Sequence, residues 1–199
     1  MKVKIQFSFV IFAVLTLFER RLDVLFITAL SSVLHELAHA YTSRKRGYKC
    51  GEITLTPFGA SVALLGDIKK KDMPFIAAAG PLFSFTLAAI TAALAALFPR
   101  SGTVFYEFAR VNVTIAVFNL LPLYPLDGSR ILLAYSKKPI KLMRLFKRLS
   151  VAFSAVFLVL FISSIFYEVN IEFLIVALGV FLTAKEQDEY SIGILQHAG

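Results

Sequence analysis

Apolar residues are concentrated in six stretches of the chain, which shorter polar segments separate. A helix needs about 20 apolar residues to cross the hydrocarbon core of a bilayer. The first and last stretches are shorter than this, so we expect them to tilt or to end in the interface. The pattern predicts an all-α polytopic membrane protein with about six transmembrane helices. These cover residues 3–18, 22–42, 75–98, 105–123, 149–166 and 171–184.

One segment between the second and third stretches lacks the helical pattern. Residues 51–66 read GEITLTPFGASVALLG, which alternates, is rich in β-branched residues and is interrupted by Pro57 and Gly59. Such alternation favours strands. Irregular backbone at membrane depth must be satisfied by protein or by a water-filled cavity. We therefore predict a short β-hairpin or re-entrant loop here, lining a cavity or lying at the membrane surface.

Composition and charge support a membrane protein and set its orientation. The chain is 58% hydrophobic, and its mean hydropathy is +0.75. With six crossings, Lys and Arg divide 17 to 4 between the two sides, which predicts cytoplasmic termini. The basic residues form short clusters between apolar stretches, so the net charge of +8 does not indicate nucleic-acid binding. We expect one domain over residues 1–184 and a short cytoplasmic tail over residues 185–199.

Three ionisable residues lie inside the second apolar stretch. His35 and His39 are four residues apart, so a helix presents both imidazoles on one face, with Glu36 beside them. In the H-E-x-x-H pattern, neutral imidazoles bind Zn²⁺ and the glutamate accepts a proton from the metal-bound water. The alternative is a set of polar core residues that satisfy one another. That arrangement would place three costly groups in the bilayer without a function.

A catalytic zinc site has three protein ligands, so the histidine pair needs another. His197 lies in the tail, where a solvated side chain is expected. Asp127 follows an apolar helix that Pro122 and Pro125 interrupt. Prolines break the helix and let the chain turn a side chain inward, and Gly128 gives the backbone room. Asp127 is therefore the candidate third ligand, with a turn or helix-cap role as its alternative.

Three motifs together resemble the site-2 protease family, the M50-type intramembrane zinc metalloproteases. They are HELAH at residues 35–39, AAAGPLFSF at residues 77–85 and FNLLPLYPLDG at residues 118–128. They occur in the family's order on successive membrane segments. The retained first helix and the short loop containing LTPFGA are most similar to the SpoIVFB sporulation branch, without its CBS domain.

The resemblance implies one Zn²⁺ ion bound by His35, His39 and Asp127, with Glu36 as the general base. Two further groups of residues have implied roles, one in binding or positioning the substrate and one in close helix packing. The first group is Asn119, Pro122, Gly128, Phe58 and Gly59, and the second is Gly80 and Pro81. The family often has Asn where Ser84 stands and Gly where Ser129 stands.

The implied activity is cleavage of a membrane-tethered protein near the cytoplasmic side of the membrane. The resemblance suggests a transcription-factor or sigma-factor precursor, or an anti-sigma factor, as the transmembrane or membrane-associated substrate. It also suggests inhibitory membrane protein partners and a bacterial cell membrane, with the membrane around the forespore as one location. An exposed strand within residues 53–65 would bind an extended substrate segment by β-augmentation.

Two alternative functions stay open. A membrane metal or solute transporter also uses broken helices around a site in the bilayer, but it has no use for Glu36 beside the histidines. A catalytically silent scaffold of the same fold predicts the loss of a ligand or of the base. Neither loss is seen in the sequence.

Overall fold

The computed structural model describes residues 3–5, 22–56, 59–65, 68–124, 126–166, 174, 176–178 and 180–181. The chain divides into two compact units, residues 1–121 and 122–199. Within the described residues the fold is mostly helical, with a single small sheet. The strands are β1 (Val3–Ile5), β2 (Lys49–Thr56) and β3 (Gly59–Leu65). The helices are α1 (Leu22–Lys45), α2 (Met73–Leu97), α3 (Gly102–Asn119), α4 (Asp127–Tyr135) and α5 (Pro139–Ser164).

Three of the described helices are long and apolar enough to cross a membrane, which supports an integral membrane protein. They are α1 from Asp23 onwards, α2 and α5. The fourth predicted stretch forms α3, which has 18 residues and includes an ion pair between Glu107 and Arg110. The described residues of the sixth stretch are helical, but most of the first and sixth stretches lie outside the described residues. Six crossings therefore stay a prediction.

The beginning of the chain differs from the predicted first helix. Residues 3–5 form β1, which pairs in parallel with residues 53–55 of β2. The prediction of helix is therefore wrong for these three residues. Val and Ile on either side of Lys4 are β-branched, and such residues pair readily once a neighbouring strand is available. Residues 6–18 lie outside the described part of the chain.

Two antiparallel strands occupy the segment for which a hairpin or re-entrant loop was predicted. β2 and β3 pair from Lys49 opposite Leu65 to Thr56 opposite Gly59, with an irregularity between Cys50 and Ile53. In the sheet β2 lies between β1 and β3. Pro57 and Phe58 lie outside the described residues.

Small and polar residues bring the helices of the first unit close together. The buried residues of α2 recur mainly at four-residue intervals, as Ile76, Gly80, Ser84 and Ala88 do, so they form one face of the helix. The Nδ2 atom of Asn112 on α3 donates a hydrogen bond of 2.9 Å to Oγ of Ser31 on α1. Small residues of this kind allow close helix approach in membranes, where polar side chains also bond across helices.

Two helix ends differ from their predicted positions. α1 continues to Lys45, and Gly47 follows in the left-handed conformation with φ of 86° and donates its N–H to the Arg44 carbonyl. α3 ends at Asn119 rather than at residue 123, because Pro122 cannot continue a helix. Residues close to each end, Gly47 after α1 and Pro122 after α3, therefore explain where these two helices end.

The second unit places α4 directly after a tight turn. Oγ of Ser150 on α5 donates a hydrogen bond of 3.0 Å to the Tyr124 carbonyl, which holds this turn against α5. The backbone N–H groups of Ser129 and Arg130 donate to the Leu126 carbonyl, so α4 begins at Asp127. α5 begins ten residues before the predicted apolar stretch, because proline is favoured in the first turn of a helix and Lys and Arg are good helix formers.

Candidate metal centre

His35 and His39 face each other inside the first unit. Both side chains are buried, with 3% and 6% of their surface exposed, and their Nε2 atoms lie 3.2 Å apart. Two tetrahedral zinc bonds of 2.0–2.1 Å place the bonded nitrogens about 3.3 Å apart. At the observed distance one imidazole can also donate a hydrogen bond to the other. The spacing of the two nitrogens therefore fits a shared zinc ion.

Helix α2 contacts the other ring nitrogen, Nδ1, of each histidine. Nδ1 of His39 lies 2.7 Å from the carbonyl oxygen of Ile76, and Nδ1 of His35 lies 3.0 Å from Oγ of Ser84. A carbonyl only accepts, so Nδ1 of His39 carries the proton and Nε2 keeps a free lone pair. The Ser84 hydroxyl can accept from His35 in the same way. Hydrogen bonds of this type orient metal-binding histidines.

Gly80 lies against both imidazoles, one turn from Ile76 and one turn from Ser84. A Cβ atom at Gly80 would overlap Nε2 of His39 and would lie 2.5 Å from Nε2 of His35. No side chain fits there without displacing a ring. Pro81, the other residue predicted to pack, is fully buried within α2. The face of α2 that contains Gly80 therefore leaves room for the imidazoles.

Asp127 is buried at the start of α4, with 5% of its surface exposed, and Gly128 and Ser129 beside it are also buried. One ligand atom from each of His35, His39 and Asp127 lies within 4.8 Å of the others. Glu36 is partly exposed on α1 next to His35. Two imidazoles and one carboxylate form a typical donor set for a catalytic zinc ion.

The residues predicted to position the substrate lie on different elements of the fold. Asn119 is the last residue of α3, and its Nδ2 donates to the Ile115 carbonyl one turn earlier. Pro122 is exposed in the turn that follows, and Gly59 begins β3 opposite Thr56. Phe58 lies outside the described residues. A role for these residues in substrate binding stays a prediction.

Two contacts of the histidine pair were not predicted from the sequence. Ile76 had no assigned role, and Ser84 appeared only as a departure from the family pattern. The four-residue spacing of Ile76, Gly80 and Ser84 is a signal for them, since it places all three on one helix face. The spacing alone does not show which helix that face contacts.

Known proteins resemble this chain in both sequence and structure. A sequence profile of peptidase family M50 matches residues 24–101 and 98–163. A zinc metalloprotease of Methanocaldococcus jannaschii is 38% identical over 119 residues, which is 58% of this chain. Stage IV sporulation protein FB of Bacillus subtilis is 28% identical over 182 residues, which is 90% of this chain.

A solved structure has the same fold. The site-2 protease from M. jannaschii superposes with a TM-score of 0.77 at 25% identity, covering 92% of this chain and 89% of that one. The chain spans 35% of the length of the archaeal relative found by sequence and 63% of the length of the sporulation protein.

Proposed function

Because the chain belongs to peptidase family M50, the site-2 protease family, we propose that it is an intramembrane zinc metalloendopeptidase. The observation that carries this proposal is the histidine pair. Its buried Nε2 atoms are spaced for one zinc ion, and α2 binds the opposite nitrogens.

His35, His39 and Asp127 would hold the ion in this proposal. Bound zinc would supply a Lewis acid that polarises the scissile carbonyl and activates water. Glu36 accepts a proton from the attacking water as the new C–O bond forms. It then gives that proton to the amine nitrogen as the peptide C–N bond breaks. Residues 1–184 would act as one protease domain, because the three proposed ligands come from both α1 and α4.

The position of the site along α1 suggests where cleavage occurs. His35 precedes Arg44 by nine residues, which is about 13 Å along a helix. The last turn of α1 contains Arg44 and Lys45, a basic end that the positive-inside rule assigns to the cytoplasm. We therefore place cleavage near the cytoplasmic side of the membrane, with both termini in the cytoplasm.

The sheet supports a way of binding the substrate. A transmembrane substrate is helical, so it must unwind before its peptide bonds are accessible. Within the described residues β2 is paired on both sides, whereas β3 pairs only with β2. An extended substrate segment would therefore add to the outer edge of β3, Gly59–Leu65, rather than to β2.

We infer from the motif resemblance to the sporulation branch that the substrate is a membrane-tethered transcription-factor or sigma-factor precursor, with an anti-sigma factor as the alternative. One sequence relative is named for sporulation. Inhibitory membrane proteins would act as partners. The location would be a bacterial cell membrane, including the membrane that surrounds a forespore.

The test compares cleavage and zinc content in the full chain, reconstituted in lipid nanodiscs with a membrane-tethered test substrate. Glu36→Gln should retain one zinc per chain and lose cleavage, because only the proton acceptor is removed. Asp127→Asn should lose both zinc and cleavage. Asp23→Asn, at the other end of α1, should change neither. Unchanged cleavage by Glu36→Gln would refute the mechanism.

A transport assay separates the remaining alternative. In proteoliposomes a transporter would move zinc across the membrane, and Glu36→Gln would leave that flux intact. A protease should show no zinc flux above that of empty vesicles. Flux without cleavage would replace the protease proposal with a transporter.

A further inference from the structure

The start of α5 forms a positively charged pocket that the proposed proteolytic mechanism does not use. The pocket has a volume of about 450 Å³ and lies within the second unit. Ser136, two leucines and four cationic side chains line it. The four cations are Lys138, Lys141, Arg144 and Arg148. We propose that this pocket binds the phosphate headgroup of an anionic lipid.

The spacing of the cations directs them to one place. Lys141, Arg144 and Arg148 stand at positions i, i+3 and i+7 of α5, so they lie along one side of the helix. Lys138 directly precedes the helix, and its backbone N–H donates to Oγ of Ser136. All four are exposed. Their positive charges therefore converge on one pocket instead of being spread around the helix.

The sequence of this segment contains basic residues but no acidic ones. Residues 136–148 contain six Lys and Arg residues and no Asp or Glu. A dense group of like charges is costly unless an anion neutralises it. The pocket therefore favours a ligand with a compact negative charge, such as a phosphate group.

Its position along α5 favours a lipid over a soluble phosphate. α5 has 26 residues, more than the roughly 20 needed to cross the hydrocarbon core. The apolar stretch, residues 149–166, begins immediately after Arg148. Arg144 and Arg148 are thus at the level where lipid phosphates lie. Basic clusters next to a membrane helix commonly bind anionic headgroups in this way.

The positive-inside rule alone explains a basic segment but requires no pocket. Under that rule each cation acts as a topology signal, so Lys137 and Arg144 should be equivalent. Lipid binding in the pocket distinguishes them, because Arg144 lines it and Lys137 does not. Lys137→Gln is therefore a matched control for Arg144→Gln, since each variant removes one positive charge from an exposed position.

The experiment uses the full chain in nanodiscs of phosphatidylcholine, with or without phosphatidylglycerol. Native mass spectrometry counts the lipids that stay bound. The wild type should retain phosphatidylglycerol in preference to phosphatidylcholine. Lys141→Gln and Arg144→Gln should each reduce this retention about fivefold, the effect of one cation near an anionic surface. Lys137→Gln should reduce it less than twofold.

Three outcomes would overturn the proposal. Equal losses in Lys137→Gln and Arg144→Gln would show a diffuse charge effect. No preference for phosphatidylglycerol in the wild type would show that the pocket does not select an anionic lipid. Displacement of the bound lipid by millimolar inorganic phosphate or glycerol phosphate would identify a soluble phosphate as the ligand instead. None of these readouts depends on zinc or cleavage, so they test the pocket separately from the protease proposal.

Discussion

His39 donates a hydrogen bond of 2.7 Å from Nδ1 to the backbone carbonyl of Ile76. The acceptor is a main-chain atom of α2, so no side-chain change at position 76 removes it directly. The bond fixes the tautomer that leaves Nε2 available to a metal. The packing of α2 against α1 therefore controls the metal centre, and three of the following predictions test this relationship.

Gly80→Ala should abolish zinc binding while the protein stays folded. The added methyl group would overlap Nε2 of His39 and crowd Nε2 of His35, so at least one ring must turn away. Alanine favours the helix by about 1 kcal/mol over glycine, so lost helix stability would not explain the result. The measurement is zinc per chain by atomic emission, with circular dichroism for helix content.

A control for the Gly80 variant adds bulk to another side of α2. Ala79→Val extends a side chain that lines an open surface groove together with Leu34 and Leu82. It should keep one zinc per chain. Full zinc content in Gly80→Ala would contradict the arrangement of the histidine pair described above.

Ser84→Ala should weaken zinc binding about 10- to 100-fold, the usual effect of losing a hydrogen bond to a metal-binding histidine. Ser84 is fully buried, and its Oγ lies 3.0 Å from Nδ1 of His35. Competition with a zinc chelator gives the affinity. Ser154→Ala removes a buried hydroxyl that donates to the Ser150 carbonyl of the same helix, α5, so it should have no effect.

The family's usual residue offers a rescue experiment at the same position. Ser84→Asn restores an acceptor oxygen and should recover most of the affinity that Ser84→Ala loses. If alanine and asparagine weakened binding equally, the volume at this position would matter more than the hydrogen bond to His35.

The sequence predicts candidate metal ligands, but it does not predict which residues of α2 contact them. His35, Glu36 and His39 lie within one helical turn, so their spacing alone predicts a shared face. Ile76 and Ser84 contact the rings only because α2 presents one particular face to α1. That rotation depends on the packing of all the small residues on α2, which no local pattern specifies.

Contacts between residues that are distant in the sequence also explain why the observed strand at residues 3–5 differs from the predicted helix. Residues 3–5 form a strand because residues 53–55 lie beside them, about fifty positions later. The sequence of residues 3–5 by itself is compatible with either a helix or a strand. The early start of α5 was missed for another reason, because the prediction followed hydropathy and the first turns of α5 are basic.

Asn112→Leu should destabilise the protein by about 1 kcal/mol or less, despite the complete burial of this residue. Its Nδ2 bonds Oγ of Ser31, but hydrogen bonds between membrane helices average only about 0.6 kcal/mol. Its Oδ1 is buried without a hydrogen-bond partner in the described part of the chain, so removing it offsets part of the loss. Unfolding in mixed micelles gives the free energy.

Thr114→Ala is the comparison for Asn112→Leu, because the exposed Thr114 hydroxyl donates to the Arg110 carbonyl of its own helix, α3. This variant should unfold like the wild type. A cost of several kcal/mol for Asn112→Leu would show that the bond to Ser31 is much stronger than a typical bond in a membrane.

Asp72 should make the stability of the protein dependent on acid pH. It directly precedes α2, and its carboxylate accepts hydrogen bonds from Tyr48, at 2.8 Å, and from Arg46. The Tyr48 hydroxyl, followed by the Arg46 guanidinium, lowers the pKa of Asp72. This stabilisation is therefore complete above the unfolded pKa, near 3.9, and is lost as the pH falls through the folded pKa.

Asp72→Asn should lower the melting temperature at pH 7 and converge with the wild type at low pH, where both residues are uncharged. The Asp72 carbonyl also accepts a hydrogen bond from the Ile76 N–H. A less ordered first turn of α2 would therefore shift the Ile76 carbonyl, which accepts the hydrogen bond from His39. Zinc affinity should consequently fall at pH 7 as well. Asp23→Asn tests for a general charge effect and should leave the profile unchanged. A difference between Asp72→Asn and the wild type that stayed constant with pH would show that Asp72 does not titrate in this way.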